Sequence, residues 1–271
     1  MGEINMKKET RELLLKIVRC ENVKKCYNGD SKCFCNKVVK SQERDEIENF
    51  SVPEPWNGDL ENAKILFVSS NPSFDENENY PIQEWDDEKI IEFFDGRFNG
   101  KYTEIRKDNK VSVRYMDGTA GKVVKFWSGV RMRTADLLYE NDKDGKKVKH
   151  GIDYCLTEVV HCKSKEQIGL DNNTISECCT KYFDDIFSLS NSKLVIILGE
   201  KAFERIVNLD IGISRNLYSG SKDRIYSQEI ELKNGQKKLF IHLNHPTSSG
   251  KYKTFKTFPK DELEKIKKAL L

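Results

Sequence analysis

The sequence lacks most of what marks a membrane, secreted or broadly nucleic-acid-coating protein. No run of 18 consecutive apolar residues occurs, so nothing in it reads as a membrane span. The segment Met1 to Thr10 is charged and has no apolar signal-peptide core, so the expected location is the cytoplasm. Proline is scarce, with 6 in 271 residues, and no low-complexity stretch or internal repeat is visible. The net charge is only +2, from 46 basic and 44 acidic residues. No global basic field announces a nucleic acid, and any such surface must be local. Neither turn after a strand, Ser69 to Ser73 or Gly199 to Ala202, has a Gly-x-Gly-x-x-Gly pattern. A nucleotide- or flavin-binding reading therefore has no support.

Cysteine, by contrast, is plentiful: there are 8. In a cytoplasmic chain they are not expected to pair as disulfides, which leaves buried apolar side chains or metal ligands. Buried thiols explain Cys155 and Cys179 well. They do not explain Cys20, Cys26, Cys33 and Cys35 in one polar loop.

Hydrophobic periodicity organises the rest. A short amphipathic helix over Arg11 to Arg19 runs into the cysteine loop, followed by a Pro-containing link, Ser41 to Asn62. Lys64 to Val68, Ile152 to Val160, Lys193 to Leu198 and Leu239 to Leu243 read as buried strands. Helices are expected over Glu84 to Phe94, Lys122 to Tyr139, Thr174 to Leu189, Lys201 to Val207 and Asp261 to Leu271, with hairpins near Val111 to Tyr115 and over Ile225 to Lys238. Strands alternating with helices predict an α/β fold: one domain with a central, mostly parallel four-stranded sheet and helices on both faces. Residues 1–62 should pack on that core as a helix and Cys-rich loop, and residues 63–271 should form the α/β domain. Ligands of such sheets bind beyond the carboxyl ends of the strands. Those ends carry Asn71-Pro72, then Thr157, Glu158 and His161, then His245-Pro246-Thr247-Ser248.

In that order these segments resemble the uracil-DNA glycosylase superfamily. Ile65 to Ser73 (ILFVSSNPS) resembles its first motif, a strand running into a Gly-x-Asn-Pro type of turn. Leu243 to Ser249 (LNHPTSS) resembles its second, His-Pro-Ser. Leu156 to Lys163 (LTEVVHCK) is similar to the Thr-Asn-Val-Val-Lys-Cys strand of the thermophilic iron–sulfur branch, and Lys193 to Ala202 (KLVIILGEKA) to that branch's next strand and turn. Lys125 to Trp127 (KFW) is similar to a helix start in the mismatch-specific branch. The motifs are short, and together they span most of Leu60 to Gly250.

The resemblance implies a monofunctional DNA glycosylase that flips a base and hydrolyses its N-glycosidic bond, acting as a monomer on DNA. Asn71 would hold the water and His245 would donate to the base O2. Phe74 or Tyr80 would stack on the flipped base, although the family's stacking Phe lies near Ile82. Thr247, Ser248, Ser249 and Lys251 would meet the DNA backbone or wedge into the gap. The spacing of Cys162 and Cys178 matches the later two cluster ligands of the iron–sulfur branch. The implied cofactor is a [4Fe–4S] cluster on Cys20, Cys26, Cys162 and Cys178, with Cys33 or Cys35 as substitutes and zinc as the alternative metal.

One position departs from the family. Glu158 stands where it carries Asn, the reader of uracil. A carboxylate cannot donate to uracil O4, but it accepts from cytosine N4, and a protonated Glu could donate to cytosine N3. The departure suggests a cytosine-type base, which must be marked by modification if the host genome is to survive. Examples are hydroxymethylated or glucosylated cytosine in phage DNA, with the segment Asp75 to Gly121 making room for the substituent. The alternatives are a one-residue slip that turns Glu158 elsewhere, excision of uracil or hypoxanthine in base repair, or a weakly catalytic protein that only captures damaged DNA.

Overall fold

A computed structural model describes residues 6–30, 32–248 and 251–270. Its helices are α1 (Lys8–Val18), α2 (Glu21–Tyr27), α3 (Asn36–Lys40), α4 (Asp87–Asp95), α5 (Lys125–Leu138), α6 (Asn172–Leu189), α7 (Glu200–Val207) and α8 (Lys260–Ala269). Its strands are β1 (Ile65–Ser69), β2 (Thr103–Ile105), β3 (Val111–Arg114), β4 (Ala120–Val123), β5 (Tyr154–Glu158), β6 (Leu194–Leu198), β7 (Gln228–Glu231) and β8 (Lys237–Leu243).

The central sheet runs β5-β1-β6-β8-β7. Its first four strands are parallel, as the apolar runs predict. The fifth, β7, pairs antiparallel with β8 and makes the sheet five-stranded rather than four. The expected hairpin over Ile225 to Lys238 and the expected strand from Leu239 share one element, because β8 starts at Lys237 and runs unbroken to Leu243. β7 (QEIE) buries only Ile230, as befits a solvent-facing edge.

Every residue of β1, β5 and β6 is buried, because helices cover both faces. Alternate side chains separate into two cores. Leu66, Val68, Cys155, Val195 and Ile197 pack with α1, α4, α6 and α7. Ile65, Phe67, Leu156, Leu194 and Ile196 pack with residues of α5 and α8. Each fully buried Leu or Ile of this kind stabilises the fold by about 1.5–3 kcal/mol. Asp86 and Asp171 cap α4 and α6 by accepting from the backbone N–H of Lys89 and Thr174.

Residues 1–62 are not a separate unit so far as they are described, since Leu13, Val38, Phe50 and Trp56 lie in the first core. The link expected to be irregular runs along the open edge of β5. Asn57 bridges Leu156, and Glu54 N–H donates to His161 O at 2.8 Å. The helix expected over Glu84 to Phe94 is α4, and the hairpin expected near Val111 to Tyr115 belongs to a second, three-stranded antiparallel sheet, β2-β3-β4. Because Ala120–Val123 is used as β4, α5 begins at Lys125 rather than Lys122. No helix is long and apolar enough to cross a membrane among the described residues.

Candidate active site

The carboxyl ends of β1 and β5 are level, with Ser69 opposite Glu158, and Leu198 of β6 sits opposite Leu243 of β8. The turns that leave them enclose a cleft of about 220 Å3. Asn71, Glu158 and His245, expected from three separate segments, all line it.

The Asn71 amide is held by its nitrogen. Nδ2 donates to Ser164 Oγ at 2.8 Å and to Pro72 O at 3.0 Å. This fixes the amide's orientation and leaves Oδ1 as its acceptor, to which nothing donates among the described residues. His245 follows β8 by two residues and stacks on Phe126, with ring centroids 4.9 Å apart and planes 14° off parallel. Its Nδ1 lies 2.9 Å from Thr247 Oγ1 and accepts from the Thr247 backbone N–H at 3.4 Å. With Nδ1 accepting, the ring proton sits on Nε2. Burial and, behind it, the Arg133 charge hold the imidazole below its ordinary pKa, so the neutral form persists at neutral pH.

Glu158 ends β5 and is 3% exposed. Its Oε2 is buried without a partner. Around it lies a charged floor that sequence reasoning missed. Lys163 Nζ is 2.8 Å from Glu78 Oε2 and 3.7 Å from Glu54 Oε2, and Arg97 Nη2 is 2.5 Å from Glu78 Oε1. Asn57 Nδ2 donates to the other oxygen of Glu54 at 2.6 Å. Burial raises Glu78, but the Lys163 and Arg97 charges outweigh it and pull the carboxyl down to about 2. Two carboxylates thus balance two cations, and Glu158 is the fifth group. Burial, and then the Glu54 charge, push it well above the carboxylate range, which Lys163 only partly offsets. Both effects favour the protonated acid.

The expected aromatic residues do not line the cleft. Tyr80 is 5% exposed and packs behind the floor, its ring under Lys163 Nζ at 3.9 Å and edge-on to Phe93 at 5.2 Å. Phe74 faces Arg44 at 5.5 Å and Lys165 at 5.9 Å instead. The aromatic walls are Phe126 and Trp127, joined by Val113 of the small sheet. The KFW signal that predicts a helix start contains both of them.

Of the expected DNA contacts, Ser248 closes the turn after β8, its Oγ donating to His245 O at 2.8 Å. Thr247 and Lys251 are exposed. Lys251 O accepts from Asn244 Nδ2 at 2.5 Å, which ties the loop's far end to its start. Ser249 lies outside the described residues.

Behind β5, Cys20, Cys35, Cys162 and Cys178 line one small cavity. Cys26, the first expectation beside Cys20, turns instead to Cys33, with the sulfurs 2.9 Å apart. Cys35 takes its place because α3 starts there and packs against the core. Nitrogen donors point at three of the four sulfurs: Lys181 Nζ to Cys20 at 3.9 Å, Asn22 Nδ2 to Cys35 at 3.6 Å and His161 N–H to Cys178 at 3.5 Å. Burial holds Cys162 and Cys178 well above the ordinary thiol range. Among the described residues, no three His, Cys, Asp or Glu side chains converge tightly enough to hold a single metal ion.

A scan against protein-family models and a search of curated proteins both returned no match to this chain.

Proposed function

We propose that this protein is a monofunctional DNA glycosylase for a modified cytosine, acting as a monomer on a base flipped into the cleft. The observation that carries the reading is the meeting of Asn71, Glu158 and His245 at the ends of β1, β5 and β8 in one cleft. The parts suit hydrolysis of an N-glycosidic bond. Cleavage builds positive charge on the sugar and negative charge on the leaving base. Asn71 Oδ1 accepts from a water and aims it at the anomeric carbon, a task that needs orientation more than basicity. His245 Nε2–H donates to the base oxygen where the negative charge collects. Phe126 offers a flat wall for the base.

Glu158 supplies the reading of the base. Its Oε2 is buried with no partner among the described residues, which leaves Oε1 to meet a ligand as an acceptor. Cytosine N4 provides the matching donor, whereas uracil O4 does not. Val113 walls the cleft from the inserted sheet, on the segment expected to accommodate a substituent. A defence role against phage DNA follows from that substrate. Cys20, Cys35, Cys162 and Cys178 are the residues that would hold a [4Fe–4S] cluster, with zinc as the alternative. Its contribution would be structural, tying α1 and the cysteine loop to β5 and α6.

The deciding experiment incubates the protein with oligonucleotides containing uracil, cytosine, 5-hydroxymethylcytosine or its glucosylated form, then cleaves abasic sites with alkali. Strand cleavage confined to a modified cytosine supports the proposal. Cleavage at uracil keeps the glycosylase and overturns the reading of Glu158. No cleavage with any base overturns the enzyme.

A further inference from the structure

A glycine inside a helix weakens it and calls for a reason. Gly129 stands in the middle of α5, and a Cβ built there would meet Pro246 Cβ at 2.4 Å. The backbone of α5 is therefore pressed flush against the residue that follows His245. Three and four residues to either side, the same helix face carries Phe126 and Arg133. Phe126 lies parallel to the imidazole. Arg133 is 5% exposed, and its Nη1 donates to Gly129 O at 2.6 Å, which locks the guanidinium across the contact. A second glycine approaches the same turn. Gly199 leaves β6 at φ +88°, and a Cβ there would come within 3.2 Å of His245 Cβ. Its N–H donates to Leu243 O at 2.9 Å, so this wall is tied to the end of β8.

We propose that the α5 face of Phe126, Gly129 and Arg133, together with Gly199, is a positioning device that sets the place and orientation of His245. It rests on the reading of His245 as the donor to the leaving base. His245 sits in a slot bounded by the Gly199 backbone at its Cβ, the Phe126 plane along its ring and Thr247 at its Nδ1, while Gly129 of α5 presses on the adjoining Pro246. A side chain added at Gly129 displaces Pro246, and the ring with it.

The test is Gly129→Ala, which raises intrinsic helix propensity and so spares the helix. A misplacement of the ring by about 1 Å lowers kcat about 100-fold while KM for the oligonucleotide stays unchanged. In parallel, 15N NMR of the four histidines, with the His245 signals assigned by their loss in His245→Gln, reports the ring directly. In the wild type His245 shows the Nε2–H tautomer, and in Gly129→Ala its ring signals shift while those of His150 and His161 stay. The double variant Gly129→Ala, Pro246→Gly removes the clash and returns kcat and the ring signals to those of Pro246→Gly alone. Unchanged His245 signals in Gly129→Ala overturn the proposal, as does a double variant no better than Gly129→Ala. If the wild type releases no base, the proposed activity fails, and the NMR comparison alone decides the positioning.

Discussion

The floor of the cleft and the cysteine cavity are reached by one short segment, which carries Glu158 and Lys163 to the first and Cys162 to the second. Both are buried, yet they differ in how far they satisfy themselves. On the floor, Glu54, Glu78, Arg97 and Lys163 form an interlocked set of opposite charges, and the pKa of Glu158 beside it is pushed up by burial and then by the Glu54 charge. In the cavity, three of the four sulfurs receive weak nitrogen contacts. A buried ion pair loses its rationale when one partner goes, whereas buried thiols are small apolar groups that stand alone at little cost. The floor's charges are paired within the protein, and the cavity becomes demanding only if a cofactor joins it.

Lys163→Met tests the first half of that contrast. It strands the Glu54 carboxylate in the interior and leaves Glu78 with Arg97 alone, and should cost about 3–5 kcal/mol in urea denaturation. His245→Ala should leave that stability untouched while base release falls about 100- to 1,000-fold, as single-turnover kinetics with circular dichroism as a control would show. Cys178→Ser sharpens the other half. With a cluster in place it should abolish bound iron and sulfide and cost about 2 kcal/mol, a Tm drop of roughly 4–8 °C. A drop of a degree or less, with no iron in the wild type, would mean that the thiols are only packing.

Glu158→Gln gives the most pH-dependent effect. The folded protein holds Glu158 protonated above the point at which the unfolded chain ionises it. Stability is therefore lost as pH rises from the ordinary carboxylate range towards the raised value, by about 1.4 kcal/mol per pH unit. Removing the titration should raise Tm at pH 8, with the gain shrinking as pH falls towards 5. A gain independent of pH would show that Glu158 is not held neutral.

The sheet and the three cleft residues were legible because each depends on local pattern. Leu194 to Leu198 is an unbroken apolar run, and Asn71, Glu158 and His245 directly follow or end such runs. The charged floor was not legible. Glu54, Glu78 and Arg97 lie in stretches whose polarity reads as surface, and only the fold shows them less than 8% exposed. Tyr80 was chosen for nearness in sequence to Asn71. Nearness said nothing about the core that Phe93 and Phe94 provide on the other side of the ring. Cys35 rather than Cys26 lines the cysteine cavity for a related reason: spacing along a loop does not reveal which of its buried sulfurs face the same cavity.

The link from Ser51 to Asn57 lies along β5 and is fastened to it by the bonds of Glu54, Pro55 and Asn57 with His161, Thr157 and Leu156. On the ribosome this link leaves the exit tunnel long before its partners exist. At about 5–20 residues per second, the early chain waits seconds to tens of seconds for β5 and then α6. During that interval Glu54 has no Lys163, and Cys20 and Cys35 have no Cys162 or Cys178. The N-terminal segment must therefore stay soluble on its own during synthesis, a demand that the lysines and glutamates interspersed among its apolar residues are suited to meet.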